Sequence, residues 1–280
     1  MGKNILAPAE IAGAAIEAGR AKAERKIIPM FVLAVLAGAF IAFAAETSNM
    51  AAYNLLGSGS TYGLGRALAG AIFAGGLILV VLTGAELFTG NTLICLSVYE
   101  KKVSPGKMFK NWAVVYAGNL AGAVLIAFMV SQTGLLGSSE GMLGALTVKI
   151  AYNKVSMSFW SAFVSGILCN WLVCLGVWIA FAANSVQGKI MGIFFPIWFF
   201  VTSGFEHCVA NMYYIPAGIL GMAEYGSITG IDQAALSAGL NWGSFFTANL
   251  IPVTLGNIIG GVVFVGSAYW FALYRPSKNN

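Results

Sequence analysis

The chain has few charged residues, which make up 9% of its 280 positions, while hydrophobic residues make up 59%. A soluble domain carries about a quarter charged residues, so the composition excludes an ordinary soluble fold. The apolar residues form long continuous runs rather than the short alternating segments of transmembrane β-strands. The composition therefore predicts one integral membrane domain of the all-α class.

Histidine and cysteine are also scarce. His207 is the only histidine, and the four cysteines lie in apolar segments without CxxC spacing. Such a set cannot build a usual zinc site, so we expect neither a metal nor a cofactor. The cysteines are interpreted as small packing residues: Cys95, Cys169, Cys174 and Cys208.

Six membrane spans can be placed, at roughly 27–45, 64–99, 111–133, 158–183, 188–221 and 244–273. The second and fifth are longer than the roughly 20 residues that one span needs. Each is therefore predicted to be a broken helix, with two half-helices joined by a short loop. The predicted organisation is an N-terminal segment at 1–26, a six-span membrane domain at 27–275 and a tail at 276–280.

The basic residues predict the orientation. Twelve of the 15 lysines and arginines fall on one side of the predicted spans, and only Arg66, Lys149 and Lys154 fall on the other. Because cytoplasmic loops are enriched in Lys and Arg, both termini are expected in the cytoplasm, with the protein in the inner membrane. This bias also accounts for the net charge of +5, so no nucleic-acid partner is inferred.

The first 26 residues do not read as a signal peptide, because charges interrupt every apolar stretch. Ile5, Leu6, Ile11 and Ile16 instead predict an amphipathic helix on the cytoplasmic surface. We favour a surface anchor over a gate for this helix.

One eight-residue pattern occurs twice in apolar surroundings. The segments 84–91 and 204–211 both read G-x-E-x-x-x-x-N. Ionisable groups inside a membrane span are costly and are functional candidates by default. Matching interruptions in the two halves of a chain indicate a transport site near the bilayer midplane.

A second pattern, N-x6-G-N-x2-G, begins at Asn111 and again at Asn249. Each half then has a plain span, a broken span and a span rich in Asn and Gly. Three spans per half reverse the orientation of the second half, which predicts an inverted 3+3 repeat with halves at about 27–133 and 158–273. The second half carries an enlarged outer loop near 223–243.

The repeated carboxylates, Glu86 and Glu206, have two interpretations. Each can accept hydrogen bonds from the first N–H groups of the following half-helix, or it can transfer protons. We favour the capping role, with Asn91 and Asn211 satisfying further groups in the loops.

His207 lies in the second break, and Thr89 occupies the first break. A lone histidine is often a core residue that holds a loop. Its position at the predicted midplane favours function here, because a neutral imidazole can donate a hydrogen bond to an anion or share a proton with it. Thr89 can donate from its hydroxyl group. Lys154, close before the fourth span, either attracts anions or snorkels to the interface.

The sequence closely resembles the formate/nitrite transporter family across residues 5–275. The motifs that carry the resemblance are GAELFTGN, KNW with YAGNL, GILCNWLVCLGVW, SGFEHCVANMYYIPAG and NLIPVTLGNIIGG. The resemblance implies an aquaporin-like fold assembled as a homopentamer with one pore per protomer. The Asn-Pro-Ala motifs of aquaporins are absent, which argues against a water channel.

The resemblance also implies roles for individual residues. His207 and Thr89 match the central pore, and Lys154 and Asn170 match an outer vestibule. The residues that match an outer constriction are Phe73, Phe88, Val173 and Phe200. Those that match an inner constriction are Leu77, Leu87 and Ala210. The family often has Asp where this chain has Glu86.

By resemblance, the expected substrates are small monovalent weak-acid anions with their protons, formate first and then nitrite or hydrosulfide, carried by passive or proton-linked flux. An intramembrane enzyme is the alternative of another class. An enzyme of this kind would need a nucleophile placed beside a base, and the sequence indicates none. A purely structural scaffold is a third possibility.

Overall fold

The computed structural model describes residues 5–277, and within them the chain is helical with no strands. The helices are α1 (Pro8–Glu24), α2 (Ile27–Leu56), α3 (Tyr62–Thr83), α4 (Phe88–Asn91), α5 (Cys95–Tyr99), α6 (Pro105–Gln132), α7 (Met142–Val155), α8 (Phe159–Ala182), α9 (Val186–Ser203), α10 (Cys208–Tyr225), α11 (Gln233–Gly239) and α12 (Trp242–Ser277). Short 3₁₀ segments lie at Thr92–Ile94, Leu135–Gly137 and Gly226–Thr229.

Six of these helices are long and apolar enough to cross a membrane: α2, α3, α6, α8, α9 and α12. This confirms the all-α membrane fold and the six predicted spans. The first span was predicted to end near residue 45, but α2 continues to Leu56. Its last turns carry Glu46, Ser48 and Asn49, which are buried in the bundle and so do not end the helix. The last span contains three π-helical segments, at Phe245–Leu250, Val262–Ser267 and Trp270–Tyr274.

Both predicted helix breaks are present. Gly84 directly follows α3 and Gly204 directly follows α9, and these two C-cap glycines have φ of 76° and 83°. Residues with a side chain rarely adopt this left-handed conformation, so glycine permits the stop at both sites. The half-helices α4 and α10 then begin at Phe88 and Cys208. In the first half the continuation is short and passes through a 3₁₀ turn into α5.

The two halves of the membrane domain pack in the same way. In the first half α2 lies against α3 and α6, and in the second half α8 lies against α9 and α12. Small residues allow this close packing. Gly122 on α6 faces the carbonyl oxygen of Val35, and Gly260 on α12 faces the carbonyl oxygen of Ile167.

The N-terminal helix α1 packs on protein. Its buried side consists of Ile11, Ala12, Ala15, Ile16, Gly19 and Ala23. This side contacts α5, the adjoining 3₁₀ turn and α8, so it is covered by the bundle rather than left for lipid. At its exposed side, Lys102 donates a hydrogen bond to Glu17, which lowers the pKa of that carboxyl below its ordinary value. This exposed ion pair adds little stability, so the docking of α1 depends on its apolar face.

We predict that Gly122→Ala destabilises the protein by about 1–3 kcal/mol, because a Cβ there would overlap the carbonyl of Val35 and push α2 and α6 apart. The measurement is thermal unfolding of the purified protein in detergent. Gly75→Ala on α3 is the matched control, since no atom beyond the neighbouring backbone of its own helix lies within 4 Å of its new Cβ. Equal unfolding temperatures for Gly122→Ala and wild type would contradict this account of the packing.

Candidate functional site

Two cavities approach the helix breaks from opposite sides. The first vestibule has a volume of about 230 Å³ and is lined by α1, the first break and α8, with Lys22, Arg25 and Lys189 at its wall. The second vestibule has a volume of about 270 Å³ and is lined by α3, α7, α9 and the second break, with Arg66 and Lys154 at its wall. The basic residues are thus divided between the vestibules in the grouping predicted from the sequence.

A polar cluster surrounds Glu86, which is 1% exposed and lines the first vestibule. Lys22 Nζ lies 3.0 Å from Glu86 Oε2 and donates to Asn91 Oδ1 at 2.8 Å. Asn91 Nδ2 in turn donates to Glu86 Oε2 and to Asn111 Oδ1, at 2.7 and 2.9 Å. Arg25 Nε adds a second cation 3.4 Å from Glu86 Oε1. The charge of the buried Glu86 carboxylate is therefore balanced by two cations, and the carboxylate accepts hydrogen bonds as well.

The second vestibule contains the same cluster. Lys154 Nζ donates to Glu206 Oε1 at 2.7 Å. Asn211 Nδ2 donates to Glu206 Oε2 and to Asn249 Oδ1, both at 2.7 Å. Asn249 Nδ2 donates to the backbone carbonyl of Lys154 at 2.9 Å. Each contact repeats one in the first cluster, with Lys154 in the place of Lys22.

Asparagines from the neighbouring spans hold the starts of the half-helices. Asn119 Oδ1 accepts from the Phe88 N–H, and Asn257 Oδ1 accepts from the Cys208 N–H, both at 2.9 Å. The amide groups of the two asparagines donate to the backbone carbonyls of Glu86 and Glu206, at 2.9 and 3.0 Å. One side chain thus satisfies both a donor and an acceptor that the break exposes.

The predicted capping role of Glu86 and Glu206 is therefore wrong. Within residues 5–277, hydrogen bonds to their carboxylate oxygens come from lysine and asparagine side chains rather than from backbone N–H groups. The reason is competition: Asn119 and Asn257 already occupy the helix starts, and a lysine within reach binds a carboxylate more strongly than a neutral donor does.

The two breaks meet at a buried pair. Thr89 Oγ1 lies 2.9 Å from His207 Nε2, and the two residues are 0% and 3% exposed. His207 Nδ1 accepts a hydrogen bond from the Ala210 N–H at 3.1 Å, so His207 is the N-cap of α10. A backbone N–H can only donate, which places the imidazole proton on Nε2.

The direction of the next bond follows from this tautomer. Nε2–H of His207 donates to Thr89 Oγ1, and the hydroxyl hydrogen of Thr89 is then free to donate to another group. The N–H of Ala210, the imidazole of His207 and the hydroxyl of Thr89 therefore form one chain of donors that ends at Thr89.

The aromatic residues Phe73 and Phe200 lie next to this pair. Their ring centroids are 5.7 Å apart, and that of Phe200 is 5.9 Å from that of His207. Both line the second vestibule, as does Ala210, whereas Leu77 and Leu87 line the first. Ala210 was expected with the two leucines and lies instead on the other side, beside His207.

The remaining predicted residues are placed as follows. Phe88 lies in neither vestibule lining and packs on α6, with ring centroids 6.1 Å from Trp112 and 4.9 Å from Tyr116. Val173 is buried without lining either vestibule. Asn170 was expected beside Lys154 but donates to the carbonyls of Thr89 and Asn257, at 3.2 and 2.6 Å. It braces the first break from within the bundle.

Sequence reasoning missed the equivalence of Lys22 and Lys154. A signal was present in the spacing, because each lysine lies five residues before the helix that follows it, Ile27 for α2 and Phe159 for α8. Each half of the structural repeat therefore includes a short helix before its three spans, α1 in the first half and α7 in the second. The role of Arg25 and of the asparagine clamps also went unpredicted.

Among the residues that the structure describes, no three His, Cys, Asp or Glu side chains come together as metal ligands. The fold and the site together define a polytopic membrane protein with two vestibules that converge on a buried Thr–His pair.

Comparison with known proteins identifies the family. The profile described as formate/nitrite transporter matches residues 9–271. A probable formate transporter of Methanothermobacter thermautotrophicus is 40% identical over 98% of this chain and 100% of that protein. The formate channel FocA of Escherichia coli K12 is 37% identical over 99% of this chain and 98% of its own. The chain belongs to the formate/nitrite transporter family.

Solved structures agree. A pentameric formate channel with formate bound is 40% identical and aligns with a TM-score of 0.74, over 88% of this chain and 96% of that one. An FNT family ion channel is 29% identical, with a TM-score of 0.77 over 94% and 98%.

We predict that Asn257→Ala lowers the stability by about 2 kcal/mol, because the buried Cys208 N–H and Glu206 carbonyl lose their partner. Asn119→Ala is expected to cost a similar amount, since its contacts are equivalent. Thermal unfolding in detergent provides the measurement, with Asn54→Ala at an exposed site of α2 as the control. A large loss at one asparagine and none at the other would contradict the equivalence of the clamps.

Proposed function

We propose that each protomer conducts small monovalent anions of weak acids, formate first, between the two vestibules by passive or proton-linked flux. The observation that carries the proposal is the Thr89–His207 pair, which is the polar contact between the two helix breaks. Its one uncommitted donor, the Thr89 hydroxyl, suits a carboxylate or another small oxyanion.

The barrier between the vestibules is short. Phe73 lines the second vestibule and Leu77 the first, and both are on α3. Four residues of helix correspond to a rise of about 6 Å, so the dry part of the path is about one helical turn long. Such a barrier can separate two wet vestibules and still be crossed by a molecule of few atoms.

Energy restricts how the anion crosses. Transfer of a bare small ion into a dry constriction has an idealised cost on the order of 20 kcal/mol. Protonation of an acid with a pKa of about 3.5 at pH 7 costs only about 5 kcal/mol. The apolar Phe and Leu residues around the barrier thus favour passage of the neutral acid, while Thr89 and His207 supply a hydrogen bond and a proton-sharing group at the crossing point.

The lysines assist entry from both sides. Lys22 and Lys154 each balance the carboxylate of their cluster, and Arg25 and Arg66 add positive charge to the first and second vestibule. Anions are attracted to vestibules with this charge distribution. Lys154 in the second vestibule therefore takes the attracting role that the resemblance suggested.

The proposal also covers the oligomeric assembly of the protein and its location in the cell. By analogy with the pentameric neighbour, the chain forms a homopentamer with one path in each protomer. It resides in the inner membrane with both termini and the first vestibule facing the cytoplasm, as the lysine and arginine bias predicts. Nitrite and hydrosulfide are the alternative substrates, because an apolar constriction selects chiefly by size and desolvation.

The direct test is flux into proteoliposomes, measured by stopped-flow light scattering for formate, nitrite and hydrosulfide at two pH values. We expect formate flux well above that of empty liposomes, faster at the lower pH because a larger fraction of the acid is neutral. Protein-free liposomes at each pH correct for free diffusion of the acids. Rates equal to those of empty liposomes for all three anions would refute the transport function.

The role of the central pair is tested by His207→Ala and Thr89→Val. Loss of the imidazole removes the proton-sharing group, so His207→Ala is expected to change the pH dependence of formate flux or the selectivity among anions. Thr89→Val keeps the shape and removes the donor, and we expect a loss of about tenfold, comparable to one charge-assisted hydrogen bond of about 1.5 kcal/mol. Thr83→Val, at an exposed site of α3, is the matched control. Unchanged flux across pH in His207→Ala would reduce His207 to a structural cap.

A further inference from the structure

A second polar group lies beside the second vestibule, apart from Thr89 and His207. Glu46 and Asn49 are three residues apart on α2, so they share one face of the helix. They are 6% and 3% exposed. Asn49 lines the second vestibule. The transport path proposed above makes no use of either residue.

The hydrogen bonding of this group is incomplete. Glu46 Oε2 accepts from the hydroxyl of Tyr213 on α10, whereas Glu46 Oε1 is buried with no hydrogen-bond partner. Asn49 Nδ2, one turn along the same face, is also buried without a partner. Buried polar atoms are nearly always paired with protein or with ordered water. An unpaired acceptor and an unpaired donor on one face therefore indicate a site for a water-sized ligand.

The surroundings of Glu46 contain no direct counter-charge. Within residues 5–277, no Lys, Arg or His nitrogen lies within ion-pair distance of its carboxyl group. The titratable groups that interact with Glu46 are Tyr213 and Tyr214 on α10. The vestibule that Asn49 lines adds Arg66 on α3, Lys154 on α7 with its partner Glu206, and His207.

Several of these groups are already engaged elsewhere. Arg66 donates to the carbonyls of Val201 and Thr202, and His207 is paired with Thr89 and the Ala210 N–H. Lys154 binds Glu206 and lies 5.3 Å from the ring centroid of Tyr214. Tyr213 is thus the hydrogen-bonding partner of Glu46, and a proton can compensate the carboxylate where no cation does.

A third unpaired atom points to hydration of the same region. Asn211 Oδ1 is buried without a partner, although the equivalent Asn91 Oδ1 accepts from Lys22. Asn211 and Asn49 both line the second vestibule. The unpaired polar atoms of Glu46, Asn49 and Asn211 therefore belong to one side of the protein, where water can link them to the vestibule.

We propose that Glu46, held by Tyr213 and linked by water at Asn49, is a proton-exchange site of the second vestibule. An ionisable residue inside a membrane protein is a functional candidate with its partner named, and here the partners are a phenol, an amide and water. The inference rests on the proposed function, because it assigns the proton that turns the weak-acid anion into its neutral form.

The exchange balances as a proton transfer. In the loading direction the O–H bond of the Glu46 carboxyl breaks, its proton passes along the water to the anion, and an O–H bond forms on a carboxylate oxygen of formate. The products are the Glu46 carboxylate and formic acid. A proton from the vestibule water then restores the Glu46 carboxyl. When formic acid releases its proton to the Glu46 carboxylate, the same steps run in reverse. Neither direction requires an oxidant or another reactant.

The first test detects the protonation of Glu46 without measuring transport. Infrared spectra of the lipid-reconstituted protein, free of formate, are recorded as a pH titration. We expect a carboxylic acid C=O band that titrates, is absent in Glu46→Gln and is shifted in Tyr213→Phe, which lacks the donor to Oε2. Glu140→Gln, the same change at an exposed residue, is the matched control and should retain the band. Absence of a titrating band assignable to Glu46 would overturn the inference.

The second test measures formate flux against pH in the same proteoliposomes. Glu46→Gln keeps the size and the acceptor for Tyr213, so we expect it to fold and to lose about tenfold in flux at the higher pH, where other proton donors are scarce. Tyr213→Phe should shift the pH profile less. A Glu46→Gln profile identical to wild type would overturn this inference alone. No flux in the wild type would instead overturn the proposed function, while the infrared band still reports on Glu46.

Discussion

The clamp formed by an asparagine across each helix break is the interaction on which the site depends. A helix that stops inside a membrane exposes backbone groups that hydrocarbon cannot satisfy. Asn119 and Asn257 each accept from the first N–H of the half-helix and donate to the carbonyl before it. With these clamps in place the breaks can be rigid, and only a rigid break can hold Thr89 and His207 at hydrogen-bonding distance.

The lysine clusters depend on the same duplication. Lys22 and Lys154 reach the breaks from α1 and α7, the helices that precede the first spans of the two halves and are not among the six that are long and apolar enough to cross a membrane. The apolar face of α1 is therefore needed for the electrostatics of the first vestibule as well as for packing. An amphipathic pattern alone could not show this, because the same pattern fits a lipid surface or a protein surface.

The fold was largely predictable, since hydropathy, span length and the repeated motif all depend on local sequence. The two breaks were predicted from spans too long for one crossing and from the repeated motif inside them. The contacts of individual polar residues were less predictable. Asn170 is far in sequence from Thr89, and only the packing of α8 against the first break brings its amide to that carbonyl. Glu86 and Glu206 were interpreted as caps because the competing asparagines and lysines are distant along the chain. Phe88 turned toward α6 because Trp112 and Tyr116 offer an aromatic surface there.

The difference between the two otherwise matching clusters concerns charge. Glu86 is compensated by Lys22 and Arg25, whereas Glu206 is compensated by Lys154, and Arg66 is engaged with backbone carbonyls nearby. A bare carboxylate at either vestibule would repel an anion, so each cluster must be neutral or positive for anions to enter. The first cluster meets this condition with two cations. The second has one cation, an unpaired Asn211 oxygen and the Glu46 carboxyl close by. Lys154 is enough to neutralise Glu206, and Arg66 adds positive charge to the same vestibule. The carboxylate on that side without a cation in ion-pair distance, among the residues that the structure describes, is Glu46, and a proton on Glu46 is the compensation that our proposal assigns to it.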